Sequence, residues 1–310
     1  MHANTERLGL GTALLAALDD RRAVWKMLEA ALEHGITHFD TARLYGDGTM
    51  ERTLSPFIKA HRNQITITSK FGLEGKWSGA MACFLLPKAR GVVKKLVGHR
   101  RVISASPAAA HEPPMPRLDV EHMRTSLRTS LRELGTDHID IFLMHEARAG
   151  QITVELLEAL EKEKASGAIG AYGSGGEWAN TMDLGKLPWP SVPILQAPAS
   201  LALSASHSPS PAIVHSIFRG LGHLEKTITC GKFPLGHYPG GHFQPGVSLP
   251  ELFLQWALAQ FPVGKILFGA RSIATLKTNA KIAATPIDSG LLAARLGWLQ
   301  KFQNQSMEER

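Results

Sequence analysis

The sequence predicts one (β/α)₈ barrel spanning residues 1–310, and three observations carry this prediction. Eight short apolar runs alternate with helical patterns along the chain, as in βαβ units with parallel strands. A length of 310 residues accommodates the usual barrel of about 250 residues and an insertion. The glycine fingerprint of the rival fold, a doubly wound sheet, is incomplete.

That fingerprint would have to begin with Gly9 and Gly11, and Leu14 stands where its third glycine belongs. No acidic residue occupies the expected strand end about 20 residues further on, because that region has a helical pattern. A barrel therefore explains the alternation better than a doubly wound sheet.

The first half of the chain contains three predicted strands. Val24, Leu28 and Leu32 recur at helical spacing, and Gly35 ends that helix. A second helix is predicted over residues 50–59. The strands are predicted at residues 8–12, 36–40 and 65–69.

The second half contains five predicted strands. An amphipathic helix runs from Val120 to Leu134, with Asp119 near its start and Gly135 at its end. Further helices are predicted over residues 154–165 and 248–260. The strands are predicted at residues 139–144, 168–172, 193–197, 212–218 and 266–269.

Composition narrows the class of protein. Two cysteines, Cys83 and Cys230, cannot form a disulfide framework, so a reducing, cytoplasmic compartment is expected. No window reaches 18 uninterrupted apolar residues, so no integral membrane segment is expected. Most of the net charge of +7 lies in residues 76–101, which predicts a local basic patch and no nucleic-acid partner.

Four side chains that suit proton transfer follow or end predicted strands. Asp40, Lys70 and His145 stand at the ends of the second, third and fourth strands, and Tyr45 follows the second. Barrel enzymes carry their chemistry at these carboxyl ends. A tyrosine, with a reference pKa near 10, needs a nearby cation to exchange a proton at neutral pH, and Lys70 could supply it. Asp40 could hold the ammonium group while His145 binds the substrate oxygen.

These rim residues lie in four short segments: Gly9-Leu10-Gly11-Thr12, Phe39-Asp40-Thr41-Ala42 with Tyr45-Gly46, Ser69-Lys70-Phe71-Gly72, and Leu143-Met144-His145. Together the segments resemble the aldo-keto reductase superfamily, and the match extends from residue 8 to about residue 285. The resemblance implies a barrel that binds NAD(P)(H) in an extended pose and reduces carbonyl groups by direct hydride transfer. It assigns Tyr45 as general acid and base, Lys70 and Asp40 as the groups that tune it, and His145 as the residue that orients the carbonyl.

The resemblance also implies a cofactor site. The residues that it places around the nicotinamide end are Gly11, Thr12, Asp40, Gln196, His215 and Ser216. His215 falls where the family has an aromatic platform. The family's Ser-Asn pair after the fifth strand falls on Tyr172 and Gly173, which is a departure from the pattern.

Near the end of the chain, Arg271, Ser272 and Asn279 match the family's adenosine and 2′-phosphate segment. A guanidinium group beside a helix N-terminus suits a phosphate, so NADP(H) is the preferred cofactor. Gly269 and Thr275 replace a lysine and an arginine of strictly NADPH-selective members, so NAD(H) stays open.

An insertion over about residues 73–118 enlarges the loop after the third strand. We expect a substrate lid, with Trp77 lining the substrate pocket beside Tyr45 and His145, or else a surface insertion packed on the barrel. The basic residues of such a lid could bring positive charge toward acidic substrates or a membrane surface. The loop at residues 234–246 carries His237 and His242, and two imidazoles do not make a metal site, so no metal is expected.

Two functions follow from these expectations. The first is an NAD(P)H-dependent oxidoreductase that reduces aldehydes or ketones, or oxidises sugar hemiacetals or alcohols. The alternative is a cofactor-binding regulatory or scaffold subunit with little or no turnover. The presence of Asp40, Tyr45, Lys70 and His145 favours the enzyme, with a small carbonyl or sugar substrate and an oligomeric state that the sequence leaves undetermined.

Overall fold

The computed structural model confirms the barrel. It describes residues 4–18, 20–75, 115–176, 183–184, 186–199, 211–219, 221, 224, 238–244 and 247–308. Eight parallel strands pair in chain order and close between the last and the first. They are β1 (Leu8–Gly11), β2 (His38–Asp40), β3 (Thr66–Phe71), β4 (Ile139–His145), β5 (Ile169–Gly175), β6 (Ile194–Pro198), β7 (Ile213–His215) and β8 (Lys265–Phe268).

Helices surround the strands. Within the described residues the α-helices are α1 (Arg21–Glu33), α2 (Met50–His61), α3 (Val120–Leu134), α4 (Val154–Ala165), α5 (Ser248–Gln260), α6 (Ile273–Ala284) and α7 (Ser289–Glu308). Short 3₁₀ helices occupy Thr5–Arg7, Thr12–Ala17, Tyr45–Gly48, Arg62–Gln64 and Ala149–Gln151.

The start and end of α3 illustrate how the sequence sets helix limits. The Asp119 carboxylate accepts a hydrogen bond of 2.8 Å from the His122 backbone N–H, which satisfies a group that the first turn leaves unpaired. Gly135 ends the helix in the left-handed region at φ 69°, where a side chain would be strained. Both limits agree with the sequence prediction.

Two strands end three residues away from their predicted ends. The seventh was predicted over residues 212–218, but β7 ends at His215 because Ser216 adopts φ 57°, a left-handed conformation that a strand cannot contain. The fifth was predicted to end at Tyr172, but β5 continues to Gly175, paired with Gln196 of β6.

The two faces of each strand have different surroundings. Phe39 faces outward from β2 and packs against Phe57 of α2, with ring centroids 5.2 Å apart. His38, its neighbour, faces the barrel interior, where its Nδ1 lies 2.9 Å from the Thr66 hydroxyl. Burial lowers the pKa of His38 to about 4, so its imidazole is neutral at neutral pH. The interior below the rim is therefore polar and uncharged at this point.

The ends of the insertion lie close together beside β3. The Arg117 N–H donates a hydrogen bond of 2.9 Å to the Gly72 carbonyl. Residues 76–114, with Trp77 and Cys83, are outside the described residues, so the lid, the basic patch and the role of Trp77 stay predictions. None of the helices that the structure describes is long and apolar enough to cross a membrane.

Close packing in the barrel predicts the effect of one added methyl group. A Cβ on Gly9 of β1 would overlap the Leu267 side chain and lie 2.8 Å from Cδ2 of His38. We expect Gly9→Ala to lower the free energy of unfolding by about 1–3 kcal/mol in urea denaturation. Gly150→Ala is the matched control, because a Cβ there meets nothing within 4 Å. Equal stability of the two variants would contradict the described packing.

Candidate active site

A cavity of about 690 Å³ opens at the carboxyl ends of the strands. Every one of the eight strands contributes at least one residue to its wall. The residues singled out from the sequence that line it are Gly11, Asp40, Tyr45, Lys70, His145, Gln196, His215 and Ser216. The barrel thus brings residues that are far apart in the chain to one concave surface, as carboxyl-end sites of this fold require.

An ion pair lies at the base of this cavity. Lys70 Nζ is 2.6 Å from Asp40 Oδ1, and the two side chains are each 3% exposed. The ammonium group also donates to the Thr41 carbonyl at 3.1 Å. Burial lowers the pKa of Lys70, but the Asp40 carboxylate and the Tyr45 hydroxyl together raise it by more, so the pKa lies above its ordinary value. Lys70 is therefore a fixed positive charge.

Two further groups hold Asp40 in place. The Gln196 amide donates to Asp40 Oδ2 at 3.0 Å, and the Thr12 hydroxyl donates to the Asp40 backbone carbonyl at 2.9 Å. Gln196 comes from β6 and Thr12 from the turn after β1. Thr12 is fully buried and does not line the cavity, whereas the other residues predicted around the nicotinamide end do line it.

Tyr45 lies directly above the ion pair. Its hydroxyl accepts a hydrogen bond of 3.4 Å from Lys70 Nζ, and the ammonium group is 5.1 Å from the ring centroid. Burial raises the pKa of Tyr45, and the positive charge of Lys70 opposes that rise without cancelling it. The phenol therefore keeps its proton at neutral pH and is available as a proton donor.

The backbone that carries Tyr45 makes a tight turn. The Tyr45 N–H donates to the Ala42 carbonyl at 3.0 Å, and the Thr49 hydroxyl donates to the Gly46 carbonyl at 2.7 Å. Gly46 and Asp47 both adopt left-handed conformations, with φ values of 62° and 55°. Two consecutive left-handed residues reverse the chain immediately after Tyr45 and let α2 begin at Met50.

Arg43 anchors the same segment on the outer face of the barrel. Arg43 as a whole is 3% exposed. Its guanidinium group contacts the carboxylates of Glu51 at 2.9 Å, Glu74 at 3.1 Å and Glu133 at 3.3 Å. These carboxylates belong to α2, the start of the insertion and α3. Burial raises the pKa of Glu51, and Arg43 opposes that rise. The network ties the Tyr45 segment to two helices.

His145 is the last residue of β4, and its ring lies beside that of Tyr45. The two rings meet edge to face, with centroids 6.2 Å apart and an interplanar angle of 85°. Burial, with a smaller contribution from Lys70, lowers the pKa of His145 to about 3. A neutral imidazole carries one N–H donor, and His145 Nδ1 is buried without a hydrogen-bond partner in the described part of the chain.

The end of β5 corrects one expectation. The resemblance predicts the Ser-Asn positions at Tyr172 and Gly173, but neither residue lines the cavity. Tyr172 faces outward, where its hydroxyl donates to Glu161 of α4 at 2.6 Å. Gly175 and Gly176 occupy the cavity wall instead, because β5 continues three residues beyond Tyr172. Among the residues of this strand end that the structure describes, only Gly175 and Gly176 line the cavity.

The segment after β7 forms another part of the wall. His215 Nδ1 lies 2.8 Å from the Ser216 hydroxyl, and Arg219 donates to that hydroxyl at 3.5 Å. Ile217, Phe218 and Arg219 line the cavity together with these two residues. The sequence predicts His215 and Ser216 at this site but not Arg219. The sequence feature that could have indicated Arg219 is its position four residues after the end of β7.

The predicted adenosine segment lies at the start of α6, beyond the residues that line the cavity. Arg271 is exposed, and the Ser272 hydroxyl caps the helix by accepting a hydrogen bond of 3.1 Å from the Thr275 N–H. Asn279 is buried, and its Nδ2 has no hydrogen-bond partner among the residues that the structure describes. A helix N-terminus and an exposed guanidinium group therefore adjoin the β8 end of the barrel.

Glu146 is the functional candidate that sequence reasoning overlooked at the fourth strand. It follows His145 directly, lines the cavity and adopts φ 57°. The rule that selected the other strand-end residues could have found it. Within the described residues no group of three or more His, Cys, Asp or Glu side chains is arranged to hold a metal ion, and His237 lies outside them.

Comparison with known proteins places the chain in a family. Residues 7–202 match the model of the Aldo/keto reductase family. The chain therefore belongs to the aldo/keto reductase family of oxidoreductases. The resemblance expected from the four sequence segments is confirmed.

Individual relatives are distant. The chain is 26% identical over 320 residues to D-threo-aldose 1-dehydrogenase from a Pseudomonas species, covering 92% of each protein. A solved glycerol dehydrogenase from Gluconobacter oxydans superimposes with a TM-score of 0.65 at 19% identity, covering 95% of this chain and 91% of that one. An aldo-keto reductase from Klebsiella pneumoniae in complex with NADPH gives 0.62 at 19% identity, covering 93% and 88%. At these identities the structural likeness establishes the fold alone.

The low pKa of His145 predicts its behaviour in a titration. Because burial disfavours the imidazolium form, we expect the ring to stay neutral from about pH 8 down to about pH 5. Its ¹H–¹³C NMR signal, identified by its absence in His145→Asn, should therefore not move over this range. A signal that moves with a midpoint near 6.5 would contradict the described burial.

Proposed function

We propose that this protein is an NAD(P)H-dependent oxidoreductase that reduces aldehydes or ketones, or oxidises sugar hemiacetals and alcohols, with Tyr45 as general acid and base. The observation that carries the proposal is the contact of 3.4 Å between the Tyr45 hydroxyl and a buried ammonium group, at the base of a cavity large enough for cofactor and substrate.

Tyr45 donates the proton in the direction of carbonyl reduction. Its raised pKa keeps the hydroxyl protonated before the reaction. Negative charge develops on the phenol oxygen as the proton leaves, and Lys70 stabilises that charge at short range in a site of low dielectric. Asp40 fixes the position of Lys70 and keeps its ammonium group charged. In the oxidative direction the Tyr45 oxygen accepts the proton from the substrate hydroxyl.

His145 orients the carbonyl beside Tyr45. A neutral imidazole can donate one N–H to the carbonyl oxygen without competing for the proton that Tyr45 transfers. The edge-to-face contact between the two rings fixes their relative direction. The carbonyl oxygen then receives hydrogen bonds from His145 at the end of β4 and from Tyr45 in the segment after β2.

The cavity fits a nicotinamide cofactor. Gly11, Gln196, His215 and Ser216 line it, and Thr12 supports Asp40 beneath it. Gly175 and Gly176 form the β5 side of this cavity. When bound, the cofactor supplies or accepts the hydride. The residues of the chain bind the cofactor, exclude water and transfer the proton.

NADP(H) is the preferred cofactor in this proposal, with NAD(H) as the second choice. Arg271 is exposed where the N-terminus of α6 favours an anion, which suits a 2′-phosphate. The buried amide of Asn279 is an available donor in the same segment. The relative from Klebsiella pneumoniae binds NADPH, which supports the preference.

A small carbonyl or sugar is the proposed substrate. A relative named D-threo-aldose 1-dehydrogenase, similar over 92% of each chain, supports this class. The family membership favours turnover over the scaffold alternative, and no described contact of the site favours that alternative.

Removing one oxygen atom tests the assignment of Tyr45. We expect Tyr45→Phe to lower kcat at least about 100-fold, because general acid catalysis contributes roughly 100- to 10,000-fold. Loss of nicotinamide absorbance should be followed with NADPH and with NADH, using aromatic aldehydes, methylglyoxal and simple sugars. The affinity for cofactor should stay within about threefold, because the hydroxyl is not needed to hold it.

Tyr172→Phe is the matched control. The chain has three tyrosines, and the Tyr172 side chain faces outward from β5, where its hydroxyl donates to Glu161. Its kcat should equal that of the wild type. If Tyr45→Phe kept its turnover, another group would have to donate the proton and the assignment would be wrong.

A further inference from the structure

The proposed reaction requires the Tyr45 hydroxyl and the Lys70 ammonium group to keep their separation of 3.4 Å. The two side chains stand on different segments of the chain. The paired register of β2 and β3 ends at Asp40 and Thr68. Lys70 lies two residues beyond Thr68, and Tyr45 lies five residues beyond Asp40. The register of the strands therefore does not by itself fix the distance between the reacting groups.

Glu51 of α2 connects the two segments on the side of the barrel wall that faces the helices. Successive residues of a strand face opposite sides, so Ser69 faces the helices while its neighbour Lys70 lines the cavity. The Ser69 hydroxyl donates a hydrogen bond of 2.6 Å to Glu51 Oε1. Arg43 Nη1 donates to the other oxygen, Oε2, at 2.9 Å. One carboxylate thus holds the residue before Lys70 and the residue two positions before Tyr45.

Both contacts of this carboxylate are shielded from water. Ser69 is fully buried, and the side chains of Arg43 and Glu51 are 4% and 1% exposed. Hydrogen bonds to a charged acceptor are stronger than neutral ones, and a low local dielectric strengthens them further. The Arg43 N–H also donates to the Lys70 carbonyl, but at 3.4 Å this backbone contact is long. The contacts through Glu51 are therefore the tighter connection.

Glu133 of α3 provides a contrast within the same group of charges. One of its oxygens lies 3.3 Å from Arg43, and its side chain is 2% exposed. Its other oxygen accepts a hydrogen bond of 3.0 Å from Arg52 of α2. The described contacts of Glu133 thus lead to Arg43 and to a helix, whereas those of Glu51 lead to Arg43 and to β3.

We infer that Glu51 is a positioning residue that sets the distance between Tyr45 and Lys70 by binding Arg43 and Ser69 with its two carboxylate oxygens. The inference rests on the proposed function, because the proton transfer that it serves is the one proposed for Tyr45. The amide of Gln has one acceptor oxygen and no charge. It cannot accept from both partners, and it binds a guanidinium group less strongly than a carboxylate does.

The inference is tested by the single-turnover rate of hydride transfer from bound NADPH to D-glyceraldehyde, with the full chain and with folding verified by circular dichroism. We expect Ser69→Ala and Glu51→Gln each to lower this rate about tenfold or more, because a displacement of about 1 Å in an active site can cost on the order of 100-fold. KM and the affinity for NADPH should stay within about threefold, because neither side chain lines the cavity. The double variant should be no slower than the slower single variant, because both substitutions remove the same connection.

Glu133→Gln is the matched control. It removes a carboxylate of similar burial from the same guanidinium group, and its rate should stay within about threefold of the wild type. Equal losses of rate in Glu51→Gln and Glu133→Gln would overturn the inference, because the charges around Arg43 as a whole would then be responsible. Ser69→Ala keeps every charge, so it decides the result if Glu51→Gln does not fold. A folded Ser69→Ala protein with the wild-type rate would overturn the inference.

A spectroscopic measurement separates the inference from the proposed reaction. In protein labelled with ¹³C at the tyrosine Cζ, the Tyr45 signal is identified by its absence in Tyr45→Phe. This signal should move in Ser69→Ala and Glu51→Gln, because the distance from the phenol to the Lys70 ammonium group changes, and it should stay in place in Glu133→Gln. The same pattern in a protein that reduces no aldehyde would support the inference and contradict the proposed function. Wild-type turnover in Ser69→Ala with an unmoved Tyr45 signal would overturn the inference and leave the proposed function intact.

Discussion

The carboxyl-end face of the barrel, where the candidate active site lies, depends on the ion pair between Lys70 and Asp40. A buried ammonium group without a partner would cost several kcal/mol, so the surrounding backbone must supply oxygen atoms at short range. Adjacent parallel strands provide them: β2 ends at Asp40, paired with Thr68, and Lys70 follows two residues later on the same face of β3. Gln196 donates to the Asp40 carboxylate and Thr12 donates to the Asp40 backbone carbonyl, so both fix this residue from other parts of the wall.

The segment from Thr41 to Tyr45 is held from both sides of the barrel wall. Inside, Lys70 contacts the Thr41 carbonyl and the Tyr45 hydroxyl. Outside, Arg43 binds carboxylates from α2, α3 and the start of the insertion. Lys70 holds the phenol itself and Arg43 holds the segment that carries it, an arrangement that favours the short proton path required by the general acid catalysis proposed for Tyr45.

The fold and four site residues could be predicted from the sequence because both follow from short-range patterns. Each strand is an apolar run, and Asp40, Lys70 and His145 end such runs, so the carboxyl-end rule finds them. The ion network of Arg43 could not be predicted, because Glu133 is 90 residues away in the sequence and no sequence pattern indicates the contact. The left-handed backbones of Glu146 and Ser216 have no sequence signal either, since glycine is absent at both positions. The Ser216 backbone ends β7 three residues before its predicted end, and Glu146 lines the cavity.

The central claim is that Lys70 stabilises the phenol oxygen of Tyr45 as its proton leaves. It is tested most directly by the single-turnover rate of hydride transfer from bound NADPH to D-glyceraldehyde in wild type and Lys70→Met, with folding verified by circular dichroism. The account predicts a fall of at least about 100-fold in this rate, with cofactor affinity within about threefold of the wild type. A folded Lys70→Met protein that transfers hydride at the wild-type rate would contradict it.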